Sequence, residues 1–321
     1  MQLIRRLNHI LNQASNKRQE SVLTIGNFDG VHLGHAQIIN KVTEIAREKN
    51  MLATILTFEP HPILLFKPDL ARDFRLTSLA QKLKIFRDKK IDRTIIIPFN
   101  HDFAELSARD FIKMILVDAL NVKYLVIGYD FIFGKNREGN LQLLEEESKR
   151  YGFNIINIAA LKKDAEIYSS SLIRNYIKNG KIKETNQALG TNFAIEGIIN
   201  NGKKLGRAIG FPTANIKAKP HIIKPKFGVY KVRVNIAGEN YNAIMNFGLK
   251  PTVSSGLEPL YEVHIFDFNH DIYGQKIRVE LIDFIREEKK FGSLIDLKQQ
   301  IAVDVLQAST KNLDHPSLDA L

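Results

Sequence analysis

Val22-Leu23-Thr24-Ile25-Gly26-Asn27-Phe28-Asp29-Gly30-Val31-His32-Leu33-Gly34-His35 decides the fold of this chain. Its first four residues are an apolar strand. The residues after it recur at helical spacing, with Ile38, Ile39, Val42, Ile45 and Ala46 on one face. A glycine-rich turn between strand and helix is where an α/β fold places a phosphate site, at the carboxyl end of a strand facing a helix N-terminus. Glycine lets a phosphate approach the backbone. The imidazoles of His32 and His35 can donate hydrogen bonds to phosphate oxygens as charge develops in a transition state. Two histidines in a surface turn are the bland alternative, and the strand before and helix after weigh against it.

Working outward, the first half alternates strands and helices. Strands are expected at Met51–Phe58, Thr94–Pro98, Tyr124–Gly128 and Asn154–Ile158. Helices are expected at Ser78–Lys89, from Ser107, at Leu141–Tyr151, and from Ser169-Ser170-Ser171 to Gly180. This pattern means a doubly wound, mostly parallel sheet. Beyond about residue 190 it changes. Gly228–Ile236 and Lys276–Leu281 alternate apolar and polar residues strictly. Tyr241–Phe247 and Leu260–Phe268 are further strands, separated by Gly-containing turns. A small antiparallel β-barrel is expected, closed by an amphipathic helix over Ser293–Leu306 with Leu294, Leu297, Ile301 and Val305 on one stripe. Lys181–Asn192 reads as helix or linker. The expected domains are residues 1–185 and 186–321.

The chain has 321 residues, 44% hydrophobic and 25% charged, as in a globular protein. It lacks cysteine, which excludes disulfides, thiolate metal sites and a cysteine nucleophile. No signal peptide or membrane span is read, so a cytoplasmic location is expected. The net charge of +11 suits an anionic ligand. The lysines form no dense arm, so phosphorylated small molecules are favoured, with no nucleic acid and no membrane as partner.

A second run, Gly206-Arg207-Ala208-Ile209-Gly210-Phe211-Pro212-Thr213-Ala214-Asn215, also offers glycines for close approach to phosphate. Thr213 and Asn215 present hard oxygens suited to Mg²⁺ shared with ATP phosphates. No Gly-Lys-Ser/Thr follows, so it is not a Walker A loop. Together the two runs resemble the prokaryotic bifunctional riboflavin kinase/FMN adenylyltransferases. Gly228-Val229-Tyr230, Asn246-Phe247-Gly248-Leu249-Lys250-Pro251-Thr252, Glu262-Val263-His264 and Arg286-Glu287 with Phe291 are similar to further family blocks. So are Thr57–Pro62, Gly128–Gly134 and Ser169–Arg174. Two departures are visible. Ser171 stands where threonine is usual and keeps the hydroxyl. Lys250 stands where arginine is usual, and losing the planar fork should weaken kinase affinity if that position grips phosphate or flavin.

The resemblance implies riboflavin plus ATP giving FMN in the barrel, and FMN plus ATP giving FAD and pyrophosphate in the first domain. Mg²⁺ serves both. It implies His32, His35 and Arg174 as the catalytic groups of adenylyl transfer. Gly26, Asn27, Phe28, Asp29, Gly34, Ser169, Ser170 and Ser171 would bind ATP. Phe58, Pro60, Pro62, Asp130 and Phe131 would bind flavin, although Phe58–Pro62 could equally be a strand stop and Asp29 a turn cap. In the kinase, Gly206, Arg207, Gly210, Pro212, Thr213 and Asn215 would hold ATP, with Thr213 and Asn215 on the metal. Glu262 would be the base for the ribityl hydroxyl; its ordinary reading is a solvated strand carboxylate. Two other readings stand beside this one: an adenylyltransferase for pantetheine phosphate or nicotinamide mononucleotide, and a basic nucleic-acid-binding barrel.

Overall fold

The computed structural model describes residues 1–5, 19–71, 73–163, 166–200, 210–252 and 256–309. It divides into two compact units, Met1–Ser170 and Ser171–Leu321.

In the first unit six strands form one parallel sheet: β1 (Gln2–Ile4), β2 (Ser21–Ile25), β3 (Leu52–Phe58), β4 (Arg93–Ile97), β5 (Val122–Gly128) and β6 (Asn154–Ile158), in the order β1-β4-β3-β2-β5-β6. Strand β2 is buried at every residue, as its unbroken apolar run requires of a strand covered on both faces. Successive residues feed opposite cores. Val22, Ile55 and Val126 pack with Ile39, Val42 and Ile45 of α1 (Leu33–Lys49) and Phe86 of α2 (Leu79–Asp88). Leu23, Leu56 and Leu125 pack with Phe111, Ile112 and Ile115 and with Leu144 of α3 (Leu141–Tyr151). Helices therefore cover both faces, as expected. The segment Phe111–Ala119 winds as a π-helix, where an ordinary helix was expected from Ser107. A two-residue hairpin, β7 (Lys162–Lys163) with β8 (Glu166–Ile167), precedes the end of the unit.

The strand order fixes the site. From β2 the chain steps outward through β3 to β4, then returns to place β5 on the other side of β2. The crevice at the carboxyl ends of β2 and β5 is the switch point where such sheets bind ligands. The Gly26–His32 turn leaves β2 there, and the Tyr129–Phe133 turn leaves β5.

The second unit takes α4 (Ser170–Lys178) from its second residue onward and then α5 (Ile182–Leu189), the latter resolving the Lys181–Asn192 ambiguity as helix. A closed antiparallel barrel follows, ordered β10-β13-β12-β11-β14-β9. Its strands are β9 (Ala194–Asn200), β10 (Ala214–Ala218), β11 (Gly228–Ile236), β12 (Glu239–Thr252), β13 (Gly256–Ile265) and β14 (Lys276–Arg286). Alternation sends Tyr230, Val232, Val234, Met245, Phe247, Val263, Val279 and Leu281 into its interior, each fully or almost fully buried. Helix α6 (Leu294–Ser309) packs on the barrel through Val305 and Ala308, near Val229 and Ile244. The expected stripe is corrected at its start: Leu294 is 70% exposed, whereas Asp304 is buried. The cause is a fork of bonds from Arg286 Nε (2.9 Å) and Nη2 (2.6 Å) to Asp304, which anchors the helix through an ion pair.

Candidate active sites

In the first unit, His32 is the N-cap of α1. Its Nδ1 accepts the backbone N–H of His35 at 3.3 Å. A ring nitrogen that accepts carries no proton, so the neutral ring of His32 bears its proton on Nε2 and can donate from there. The His32 and His35 rings stack at 3.7 Å, and Phe28 meets His35 edge-on at 5.1 Å. Gly34 is small for a reason: a Cβ there would stand 3.3 Å from the His32 ring. Burial first, then the neighbouring His32 and Lys82, hold the His35 pKa well below that of an ordinary histidine. His35 Nδ1 and Asn27 Oδ1 are buried without a hydrogen-bond partner, which in a native fold marks groups available to a ligand.

The turn carrying these groups is strained and braced. Phe28 and Val31 have φ of 49° and 43°, unusual for an aromatic and a β-branched residue. The buried Asp29 carboxylate accepts the backbone N–H of Leu76 (3.0 Å) and of Thr77 (3.2 Å). Gly30 N–H donates to Thr77 Oγ1 at 3.1 Å, and Ser170 Oγ donates to the Asp29 carbonyl at 2.9 Å. Asp29 thus acts as a turn brace, and Ser170 ties the later hydroxyl run to the same turn. Lys82, Thr57 and Thr77 share this bracing and were not singled out from sequence. A lysine on an amphipathic helix reads as solvent-facing, and only the tertiary contacts reveal otherwise.

At the carboxyl ends of β3 and β4 an aromatic cluster stands beside the turn. Phe58 packs against Phe99 (5.5 Å) and Phe103 (5.6 Å), and Phe99 against the largely exposed Phe66 (5.7 Å). Phe131 stacks on Phe133 at 5.3 Å after β5. Pro60 and Asp130 are exposed, and Pro62 is half-buried at the start of a short helix. The position of Phe99 just beyond a strand's carboxyl end could have flagged it, by the reasoning applied to Phe58. Ser171 and Arg174 lie on α4, in the second unit.

In the barrel, register aligns Asn215 of β10 with Glu262 of β13, and Glu262 with Asn246 of β12. Directly paired residues share a sheet face, so these three polar side chains form one row. Tyr261 and Val263, on either side of Glu262, are buried on the opposite face, as the sequence alternation foretold. Asn215 is 9% exposed, and its Oδ1 has no hydrogen-bond partner. Two residues before it, Thr213 lines a cavity of about 600 Å³ with Pro212, Val263, Phe268, Asp271 and Tyr273. A hydrogen bond of 2.8 Å between His264 Nδ1 and the Pro212 carbonyl pins this wall. Gly210 takes a φ of 89°, open to glycine. Gly206 and Arg207 lie outside the described residues. Among the described residues no group of three His, Cys, Asp or Glu side chains could hold a metal. The donors here are the neutral oxygens of Thr213 and Asn215, a set that suits a Mg²⁺ ion carried largely by nucleotide phosphates.

A parallel sheet with stacked histidines at its switch point and a closed barrel with a polar Asn–Glu–Asn row suit a two-site nucleotide-dependent transferase. Comparison with known proteins agrees. The FAD synthetase family model matches residues 14–172, and the riboflavin kinase model matches residues 189–311. The chain is 42% identical to the bifunctional riboflavin kinase/FMN adenylyltransferase of Haemophilus influenzae, over 95% of this chain and 97% of that protein. The Escherichia coli K12 protein of the same description is 40% identical over 96% and 97%, and that of Bacillus subtilis 36% over 91% and 92%. This chain belongs to the bifunctional riboflavin kinase/FMN adenylyltransferase family. It also superposes on a crystal structure described as a macrolide-efflux protein from Streptococcus pneumoniae. The TM-score is 0.87 and the identity 28%, covering 97% of this chain and 100% of that one. Among the described residues here, no helix is long and apolar enough to cross a membrane.

Proposed function

We propose that the chain makes FMN from riboflavin and FAD from FMN, each with ATP, at the two sites just described. Adenylyl transfer is assigned to residues 1–185 and the kinase to residues 186–321. The family matches support this division, ending at 172 and beginning at 189 on either side of it. A cytoplasmic setting belongs to the same reading.

For FAD formation, an FMN phosphate oxygen attacks the α-phosphorus of ATP and pyrophosphate leaves. His32 donates from Nε2 to the phosphate oxygens, and the N-terminus of α1 adds its N–H groups and dipole. This is stabilisation by position and charge, which is most of what phosphorus transfer needs. Asn27 and the backbone at Gly26 and Gly34 complete the ATP cradle. The Phe58–Phe99–Phe103 cluster supplies a wall for the flat flavin ring. Arg174, Ser169 and Ser171 join the set through the family resemblance. The observation that carries this half is the His32–His35 stack capping α1 at the switch point.

For FMN formation, the ribityl hydroxyl of riboflavin attacks the γ-phosphorus of ATP, ADP leaves, and Glu262 accepts the hydroxyl proton. The row Asn215–Glu262–Asn246 carries this half, because it sets a carboxylate beside an unpartnered amide oxygen. Thr213 and Asn215 would hold Mg²⁺, which when bound neutralises phosphate charge.

A panel of acceptors tests the reading: FMN, pantetheine phosphate and nicotinamide mononucleotide, each with ATP and Mg²⁺. FMN alone should be adenylylated. Preference for another acceptor would return the first unit to the wider adenylyltransferase class.

A further inference from the structure

We propose that Lys82 is a positioning residue for adenylyl transfer, its buried ammonium clamping the strained Asn27–Val31 turn to β3. Lys82 projects from α2 and is only 6% exposed. Its Nζ donates to the Asn27 carbonyl at 2.9 Å and to Thr57 Oγ1 at 3.1 Å. Thr57 Oγ1 itself donates to the Asn27 carbonyl at 3.3 Å. One ammonium therefore joins the turn after β2, which leads to the histidines of α1, to β3, which ends in Phe58. The inference rests on the assignment of adenylyl transfer to this turn.

A buried lysine carries a desolvation penalty, and a fold that needed only a strut could use an apolar side chain. What the charge adds is direction. The acceptor it grips is the carbonyl of Asn27, whose side-chain Oδ1 is among the unpartnered buried atoms of the site. The groups around Lys82 come from four places. Asp29 lies in the turn, Glu59 at the end of β3, and Arg75 on the segment before α2; all three act on its charge. Arg75 holds Glu59 through both guanidinium nitrogens, so that carboxylate is already paired. His35 on α1 feels the Lys82 charge in return. Burial, opposed by Asp29 and Glu59 and aided by Arg75, pulls the Lys82 pKa down to about 8. Lys82 is an ammonium below that value and loses its charge as pH rises through it. The clamp then weakens in alkaline solution, and with it one of the charges that keep His35 neutral.

The test compares kcat/KM for FAD formation and for riboflavin phosphorylation in the same full-length protein, from pH 6.5 to 9.5, for the unchanged chain, Lys82→Met and His32→Ala. In the unchanged chain, FAD formation should fall through about pH 8 and phosphorylation should not. Lys82→Met should lower FAD formation about 100-fold, the loss associated with misplacing reacting groups by about 1 Å. It should leave phosphorylation unchanged and abolish the alkaline fall in the residual activity. Lys82→Met within threefold of the unchanged chain overturns the proposal, as does a residual activity that keeps the same alkaline limb. If Lys82→Met does not fold, the unchanged chain decides: a flat FAD profile to pH 9.5 overturns the clamp, and a fall confined to FAD formation upholds it. His32→Ala separates the two levels. If it forms FAD normally, the site assignment itself fails; if it is inactive while Lys82→Met is active, only the clamp fails.

Discussion

Replacing Asp29 with Asn probes the turn without emptying its place. The Asp29 carboxylate is 5% exposed and accepts two backbone N–H groups, from Leu76 at 3.0 Å and Thr77 at 3.2 Å. Both bonds end on Oδ1, and Leu76 N–H is shared with Oδ2 at 3.1 Å, so an amide that keeps its oxygen in the Oδ1 place sets an NH₂ against the Leu76 N–H. A bond to a charged acceptor contributes about 1.5–3 kcal/mol; the contact to Oδ2 is lost, and the two bonds to Oδ1 lose their charge assistance. Against this stands the strain stored at Phe28 and Val31, about 1–3 kcal/mol at each positive-φ residue. The bracing lost is as large as the strain at either residue, so the turn should relax and carry Asn27 and His32 away from their working positions. Asp29→Asn should therefore lower kcat/KM for FAD formation about 100-fold. It should also lower the first unit's stability by about 1.5–3 kcal/mol, read as a fall in its urea midpoint. Riboflavin phosphorylation, measured in the same preparation, should not change. An Asp29→Asn protein with unchanged FAD formation and an unchanged midpoint would refute the idea that this carboxylate holds the turn.

Glu262→Gln should lower riboflavin phosphorylation about 100- to 10,000-fold while FAD is still formed from supplied FMN, as steady-state rates would show. Asn215→Ala should reduce phosphorylation about 10- to 100-fold, with partial recovery when Mg²⁺ is raised. Arg286→Ala would strand the buried Asp304 carboxylate and destabilise the barrel with α6 by about 3–5 kcal/mol, measurable by chemical denaturation. His35 is held neutral in the folded chain but takes a proton in the unfolded chain below its ordinary value of about 6.5. Its contribution to stability is therefore present above that pH and lost as pH falls from there toward the lowered folded value. His35→Gln should flatten the pH dependence of the first unit's stability in that acidic window.

Much of the architecture was legible because its elements carry strong local patterns. Leu141–Tyr151, Asn154–Ile158 and Gly228–Ile236 fall where helical periodicity, an apolar run and strict alternation put them. β1 carries no signal in the sequence because two exposed residues and one half-buried residue show no period; they are held by parallel pairing with β4. β10 was concealed within the Gly-Pro-Thr run, whose turn chemistry masks a five-residue strand. The π-helix at Phe111–Ala119 shares its apolar face with an ordinary helix, so periodicity does not distinguish the two. At the sites, the histidines and Asn215 stood out because their spacing is local, whereas Glu262 reads as a solvated strand carboxylate and stands out only through the family resemblance. The brace from Arg75 to Lys82 did not, since it acts across about 50 residues of chain on groups that read as solvent-facing. Phe99 and Phe103 join Phe58 only when parallel strands bring their carboxyl ends together.

The most direct measurement follows flavins by chromatography after the full-length protein meets riboflavin, ATP and Mg²⁺, in parallel with His32→Ala and Glu262→Gln. The unchanged protein should show FMN first and FAD after it. His32→Ala should stop at FMN, and Glu262→Gln should leave riboflavin untouched yet convert added FMN to FAD. A folded His32→Ala protein that still forms FAD, or a Glu262→Gln protein that still forms FMN at the unchanged rate, would contradict the assignment of one reaction to each site.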